Sequence, residues 1–179
     1  LRQLGFDSIL DTDFTADLTI MEEGTELLTR LKKALVDGDK KISLPMFTSC
    51  SPGWVKFIEH KYPEYLSNLS TCKSPQQMFG ALAKTFYAQK KKLDPSKIVS
   101  VSIMPCTAKK YEADKDRMKD GISRNVDAVI TTRELVTMIK LLGIDFNSLE
   151  PEPIDTHFGM RSSAGNLFGI SGGHLEGLI

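Results

Sequence analysis

Apolar positions recur with helical spacing through most of the chain and give way to β-branched runs in a few short stretches. From residue 16, "ADLTIMEEGTELLTRLKKAL" places Leu18, Met21, Leu28, Leu31 and Leu35 at helical intervals, a stripe expected to face a core. "FDSILDTDF" before it reads as a short strand and turn. "LVDGDKKIS" reads as a polar loop and "LPMFTSC" as a brief apolar run. "GWVKFIEHKY" opens another helix. "SPQQMFGALAKTFYAQKKKL" forms a third, with Ser74 as N-cap and Pro75 at its first position. "KIVSVSIMPC" is the clearest strand, rich in β-branched residues. "DAVITTRELVTMIKLLG" reads as strand then helix; Thr131 and Glu134 have capping-box spacing, and Gly143 stands where the helix should end. A Pro- and Gly-rich tail follows. This alternation predicts an α/β fold with a mostly parallel sheet, whose site lies in loops after the carboxyl ends of strands. Cys50 and Cys106 fall in such loops.

Composition narrows the function classes. Among 179 residues, 23 Lys plus Arg balance 23 Asp plus Glu, so nothing electrostatic favours nucleic acid or an anionic membrane. No apolar run is long enough to span a bilayer, and no signal-peptide pattern opens the chain. The chain begins at Leu1 and stops after Gly177-Leu178-Ile179, so a part of a longer protein is expected. The three cysteines, Cys50, Cys72 and Cys106, are odd in number and widely spaced. That pattern fits a reducing compartment better than a disulfide framework.

The candidate chemistry begins with "SIMPCTAKKYE" (102–112). Pro105 stops a strand at Met104 and presents Cys106 at the turn, with Lys109 three residues on. A thiolate beside an ammonium suits a nucleophile or a metal ligand, whereas a half-buried small hydrophobe is the plain alternative. The absence of a CxxC pair argues against a zinc site or a complete iron–sulfur cubane held by this chain alone. Glu23, Glu26 and Arg30 share one helix face, and Glu26 to Arg30 is a favourable i,i+4 pair. They form either a solvated face or a set of proton-relay groups; the spacing does not choose. His60, His157 and His174 make no ligand pattern. "FGISGGH" (168–174) lacks a P-loop lysine and reads as close backbone packing, or as a loop beside a bulky cofactor.

Taken together, "TSCSPGW", "LSTCKSPQQMFGALAKT", "SIMPCTAKKYEAD" and "DAVITTREL" closely resemble the catalytic domain of the iron-only, or [FeFe], hydrogenases. "LGFDSILDTDFTADLTIMEEGTELL" before them and "AGNLFGISGG" after them extend the likeness over nearly the whole chain. The resemblance implies a two-lobed α/β domain with mostly parallel sheets and a cluster cleft between lobes, of which residues 1–179 are a part. It implies reversible reduction of protons to H2 with electrons from ferredoxin or a similar carrier. The implied cofactor is the H-cluster, a 4Fe–4S cubane joined through a cysteine sulfur to a diiron centre with CO, cyanide and an azadithiolate bridge. Maturation proteins that install it are implied partners, and a cytoplasmic or hydrogenosomal, anaerobic setting is the implied location.

Residue by residue, the resemblance makes Cys106 a cubane ligand and Lys109 the donor to a diiron cyanide. Met104, Pro105, Ser74, Pro75, Gln76 and Phe168 match residues around the diiron site. Cys50 matches a thiol that passes protons, and Glu23, Ser70, Glu26 and Arg30 match the rest of that path. Cys72 matches no ligand and is expected to be structural.

Two departures stand out. Ser51 falls on a cubane-ligand position, where a hard, weakly acidic hydroxyl is a poor substitute for thiolate. The family's third cluster loop, with two further ligands, has no counterpart here, nor do N-terminal accessory clusters. The 179 residues alone are therefore expected neither to hold the H-cluster nor to turn over H2. Met160 and Arg161 also stand where the family more often has an acidic residue. The alternatives are an iron–sulfur assembly protein of the related Nar family, or an H2-sensing or degenerate homologue. Cys50 with the Glu23/Glu26 pattern argues against the former; Ser51 gives weight to the latter.

Overall fold

The computed structural model describes residues 1–115, 124–170 and 172–178. The chain divides into two compact units: Leu1–Thr12 with Phe79–Met160, and Asp13–Met78 with Arg161–Ile179.

The first unit is built on one parallel strand pair. β1 (Val101–Met104) lies beside β2 (Ala128–Thr131), with Val101 opposite Ala128 and Met104 opposite Thr131. α5 (Ala108–Asp114) follows β1, and α6 (Thr132–Leu141) follows β2. The start of α6 is fixed as its sequence predicts. The Thr131 hydroxyl accepts from Glu134 N at 3.2 Å, and the Glu134 carboxylate accepts from Thr131 N at 2.7 Å. Gly143, just past the helix, takes φ +66°, which a side chain would strain. Ahead of the strands the Lys84 ammonium is buried; it donates to the Arg124 carbonyl at 2.5 Å and to Asp127 at 2.7 Å. Asp127 also accepts from Ser100 N at 2.7 Å, tying the start of β1 to that of β2. At Gly80 an added Cβ would lie 2.9 Å from Val126 Cγ2 and closer still to the Asn125 carbonyl, so only glycine permits this approach.

The sheet is smaller than the alternation predicts. The expected strand in "FDSILDTDF" does not form. Ile9 instead exchanges bonds with a loop residue, giving its N–H to the Asp155 carboxylate at 2.7 Å and taking Asp155 N at 2.7 Å. With its polar groups satisfied there, the segment makes no ladder. "LPMFTSC" contributes one isolated parallel bridge, Phe47 to Leu69, rather than a strand.

The second unit is helical. α1 (Asp13–Leu31) continues through a π-helical turn at Lys32–Val36. α2 (Pro52–Lys61) packs Val55 and Ile58 with Leu69 and Phe47 into a small apolar core. α3 (Pro75–Leu82), in which the chain passes between the units, leads through a second π-helical turn at Ala83–Tyr87 into α4 (Ala88–Lys91). α7 (Ser163–Phe168) and α8 (Gly173–Leu178) close the second unit. Arg161 pairs with Asp13 at 2.5 Å at the start of α1.

The expected apolar stripe of α1 does not face a core. Met21, Leu28 and Leu35 are exposed, whereas Thr15, Ala16, Thr19 and Glu23 are buried. Helical spacing located the helix, but of its apolar stripe only Leu18 and Leu31 are half-buried. The polar groups of the buried side find partners: Thr19 Oγ1 donates to the Thr15 carbonyl one turn back at 2.8 Å, and Glu23 pairs with His174. No described helix is long and apolar enough to cross a membrane.

Candidate functional site

Glu23 and Glu26 stand one turn apart on α1, and each anchors a polar cluster in the second unit. Glu26 is the better connected. Its Oε1 accepts from Arg30 Nε at 2.9 Å and Nη2 at 2.6 Å. Its Oε2 accepts from the Ser70 hydroxyl at 2.9 Å and from Thr71 N at 3.0 Å. Burial works against its charge, but the bonds from Ser70, Arg30 and Thr71 outweigh it and hold the carboxyl below its ordinary range. Arg30 also donates to the carbonyls of Ser67 at 3.1 Å and Leu69 at 2.8 Å, so the pair is locked to the backbone that carries Ser70. Glu22, Glu26, Arg30, Lys33, Lys41 and Cys72 are among the residues around an open cavity of about 510 Å³. One end of the Glu26 cluster is thus in contact with solvent space.

Cys72, expected to be structural, belongs to this cluster. Its thiol lies 3.6 Å from Glu26 Oε2, and its N–H donates to Ser70 Oγ at 3.1 Å. Burial first, then the nearby carboxylates of Glu26 and Glu23, push its thiol up to about 11, so Cys72 stays protonated at neutral pH.

Glu23 is fully buried, and the imidazole of His174 meets it: Nε2 pairs with Glu23 Oε2. The other ring nitrogen, Nδ1, lies 3.1 Å from the Cys50 sulfur. Phe168 stacks on the ring with centroids 4.3 Å apart and planes at 27°. Burial opposes the imidazolium, yet the hydrogen bonds and charges of Cys50 and Glu23 outweigh it and raise the histidine to about 9. No spacing signal points to His174, which stands 124 residues from Cys50 in sequence. Folding alone joins them, because α8 packs on α1. Gly177 lies so close to Ile20 that a Cβ there would sit 2.8 Å from Ile20 Cδ1. The Gly-rich stretch before α8 is close packing, as one of its two readings has it: a Cβ on Gly173 would meet Leu167 and Ile170. Ser171 lies outside the described residues.

Ser51 is the N-cap residue of α2, but its exposed hydroxyl makes no capping bond, so helix capping does not account for the serine. Ser74, Pro75 and Gln76 are buried at the start of α3. Beside them Gln77 is fully buried, and neither of its amide atoms has a hydrogen-bond partner among the described residues. In the first unit Met104 ends β1, and Pro105 and Cys106 follow it exposed at the strand's carboxyl end. Cys106 is therefore not the half-buried hydrophobe of its plain reading. Lys109 donates to the buried Glu112 at 3.1 Å on the next turn of α5.

Residues 1–179 match the family profile described as iron only hydrogenase large subunit, C-terminal domain. The chain belongs to the iron-only hydrogenase family. It is 52% identical over its whole length to the NADP-reducing hydrogenase subunit HndD of Solidesulfovibrio fructosivorans and to iron hydrogenase 1 of Clostridium pasteurianum, covering 30% of each. It is also 37% identical to a cytosolic Fe–S cluster assembly factor, narfl, of Xenopus tropicalis, over 98% of this chain and 37% of that protein. Among solved structures, a variant of apo HydA1, an [FeFe]-hydrogenase from Chlamydomonas reinhardtii, superposes with a TM-score of 0.83 at 48% identity. The match covers 98% of this chain and 43% of that one. The chain thus spans well under half the length of these relatives.

The donors in this chain do not by themselves fit a complete iron–sulfur cluster. Among the described residues no group of three or more His, Cys, Asp or Glu is arranged to hold a metal. Cys106 has the right ligand chemistry and is exposed; Ser51 has the wrong one.

Proposed function

We propose that this chain is the proton-handling part of an iron-only hydrogenase that reversibly converts protons and electrons from a ferredoxin-type carrier into H2. In the full-length protein Cys106 would supply one thiolate to the cubane of the H-cluster. Ser51 would stand at a second ligand position, Lys109 would face a diiron cyanide, and Met104, Pro105, Ser74, Pro75, Gln76 and Phe168 would surround the diiron centre. The donors among the described residues do not complete the cluster's site.

The observation that carries the reading is a fully buried Glu23 linked toward a thiol, one turn from a second carboxylate wired to a solvent-facing arginine. A buried carboxylate is costly unless it is paired or functional. Protons would enter from the open cavity at Arg30 and Glu26 and pass by Ser70 to Glu23 and then to Cys50. The hop from the Ser70–Glu26 group to Glu23 would use one water or rotation of the Ser70 hydroxyl. Glu26 is held ionised by the bonds from Ser70, Arg30 and Thr71.

The test is Cys50→Ala in the full-length protein. Iron content should stay unchanged and H2 evolution should be abolished. Loss of iron would make Cys50 a ligand, and retained turnover would remove it from the path. A second reading, an iron–sulfur assembly factor, draws on the Xenopus relative and on Ser51. It predicts that iron transfer, not H2 evolution, depends on Cys106.

A further inference from the structure

We propose that His174 is a positioning residue that carries protons between Cys50 and Glu23. The inference rests on the relay reading and adds a station to it. The imidazole lies between the two groups: Nδ1 is 3.1 Å from Cys50 Sγ, and Nε2 is paired with Glu23 Oε2. Its orientation is set from several sides. Phe168 stacks on one face. The turn that delivers it contains Gly172 at φ +79° and Gly173, whose neighbours Leu167 and Ile170 leave no room for a side chain. The ring therefore bridges the thiol and the carboxylate.

Imidazole suits this position chemically, since it can accept a proton on one nitrogen while releasing one from the other. In the H2-evolving direction the Glu23 carboxyl gives a proton to Nε2 as Nδ1–H gives one to the Cys50 thiolate. One proton enters the ring and one leaves. The ring passes through the imidazolium that Cys50 and Glu23 favour and is left neutral, with its hydrogen on Nε2, the form from which the reverse transfer starts. In the oxidative direction the same two transfers run in reverse. A purely structural role, in which His174 only satisfies the buried carboxylate, would be filled by any side chain that donates a hydrogen bond.

The experiment uses the loaded full-length protein carrying His174→Gln or His174→Val, with Cys50→Ala as the control. Gln keeps a hydrogen-bond donor but cannot pass a proton; Val keeps neither. The readouts are H2 turnover across pH and the infrared S–H stretch of Cys50, assigned by its disappearance in Cys50→Ala. Turnover should fall at least tenfold in both variants, and the S–H band should move to a weaker-bonded frequency in His174→Val. Turnover within twofold of the parent in His174→Gln, or an unmoved band in His174→Val, overturns the proposal. If Cys50→Ala itself retains turnover, the relay reading fails. If Cys50→Ala is inactive while the His174 variants are active, only the assignment of His174 fails.

Discussion

Replacing Glu26 by Gln changes one atom and tests how the polar cluster on α1 is held. The carboxylate is an acceptor only, and every group around it donates: Arg30 Nε and Nη2 to Oε1, and Ser70 Oγ and Thr71 N to Oε2. An amide can keep its oxygen toward Arg30, but its NH2 then faces the Ser70 hydroxyl and the Thr71 N–H. Ser70 can turn to accept, as it already does from Cys72 N. Thr71 N cannot, though Thr71 is exposed and finds water instead. Arg30 keeps the carbonyls of Ser67 and Leu69 and is not stranded. The net loss is therefore one charge-assisted pair, about 1.5–3 kcal/mol, discounted toward the lower end because the pair is not fully buried. Urea unfolding of the full-length protein at neutral pH measures it. The pH dependence gives a second check. The carboxyl of Glu26 lies below its ordinary value of 4.5. Its contribution is thus present above pH 4.5 and lost as the pH falls through the lowered value, so the parent and the variant converge on acidification. A difference below about 0.5 kcal/mol at neutral pH, the range of ordinary surface changes, or one that widens in acid, refutes the account.

The remaining predictions concern the cluster position and the fold. Ser51→Cys in the full-length protein should raise iron bound per chain, because a thiolate would replace a hydroxyl at a ligand position. An unchanged iron content sinks that assignment. Thr131→Ala removes the hydroxyl that accepts from Glu134 N and should cost about 1 kcal/mol, read as a lowered thermal midpoint. An unaltered midpoint would mean that packing on β2, not the cap, fixes the start of α6.

The local signals were the most legible. Thr131 and Glu134 fixed a helix start three residues apart, and the β-branched run at Val101 became a strand, because both depend on near neighbours. Glu26 and Arg30 could be paired from their i,i+4 spacing. Long-range choices were harder. Ile9 was expected in a strand, but its backbone partner lies 146 residues away in Asp155. Met21 and Leu28 were expected inside because they are apolar, yet α1 buries Thr15, Thr19 and Glu23. An amphipathic pattern assumes that the polar side faces water, and here Thr19 bonds to its own helix and Glu23 to His174 instead.

The sequence by itself determined the family, through cysteine loops and flanking motifs whose residue types and spacing are specific. It also determined that a thiol precedes a serine at Cys50-Ser51. Only the tertiary structure decided what that thiol touches. The Cys50–His174–Glu23 array draws its members from the loop before α2, the start of α8 and the middle of α1. A hydrogen bond requires approach within about 3.5 Å, and chain separation does not encode that approach.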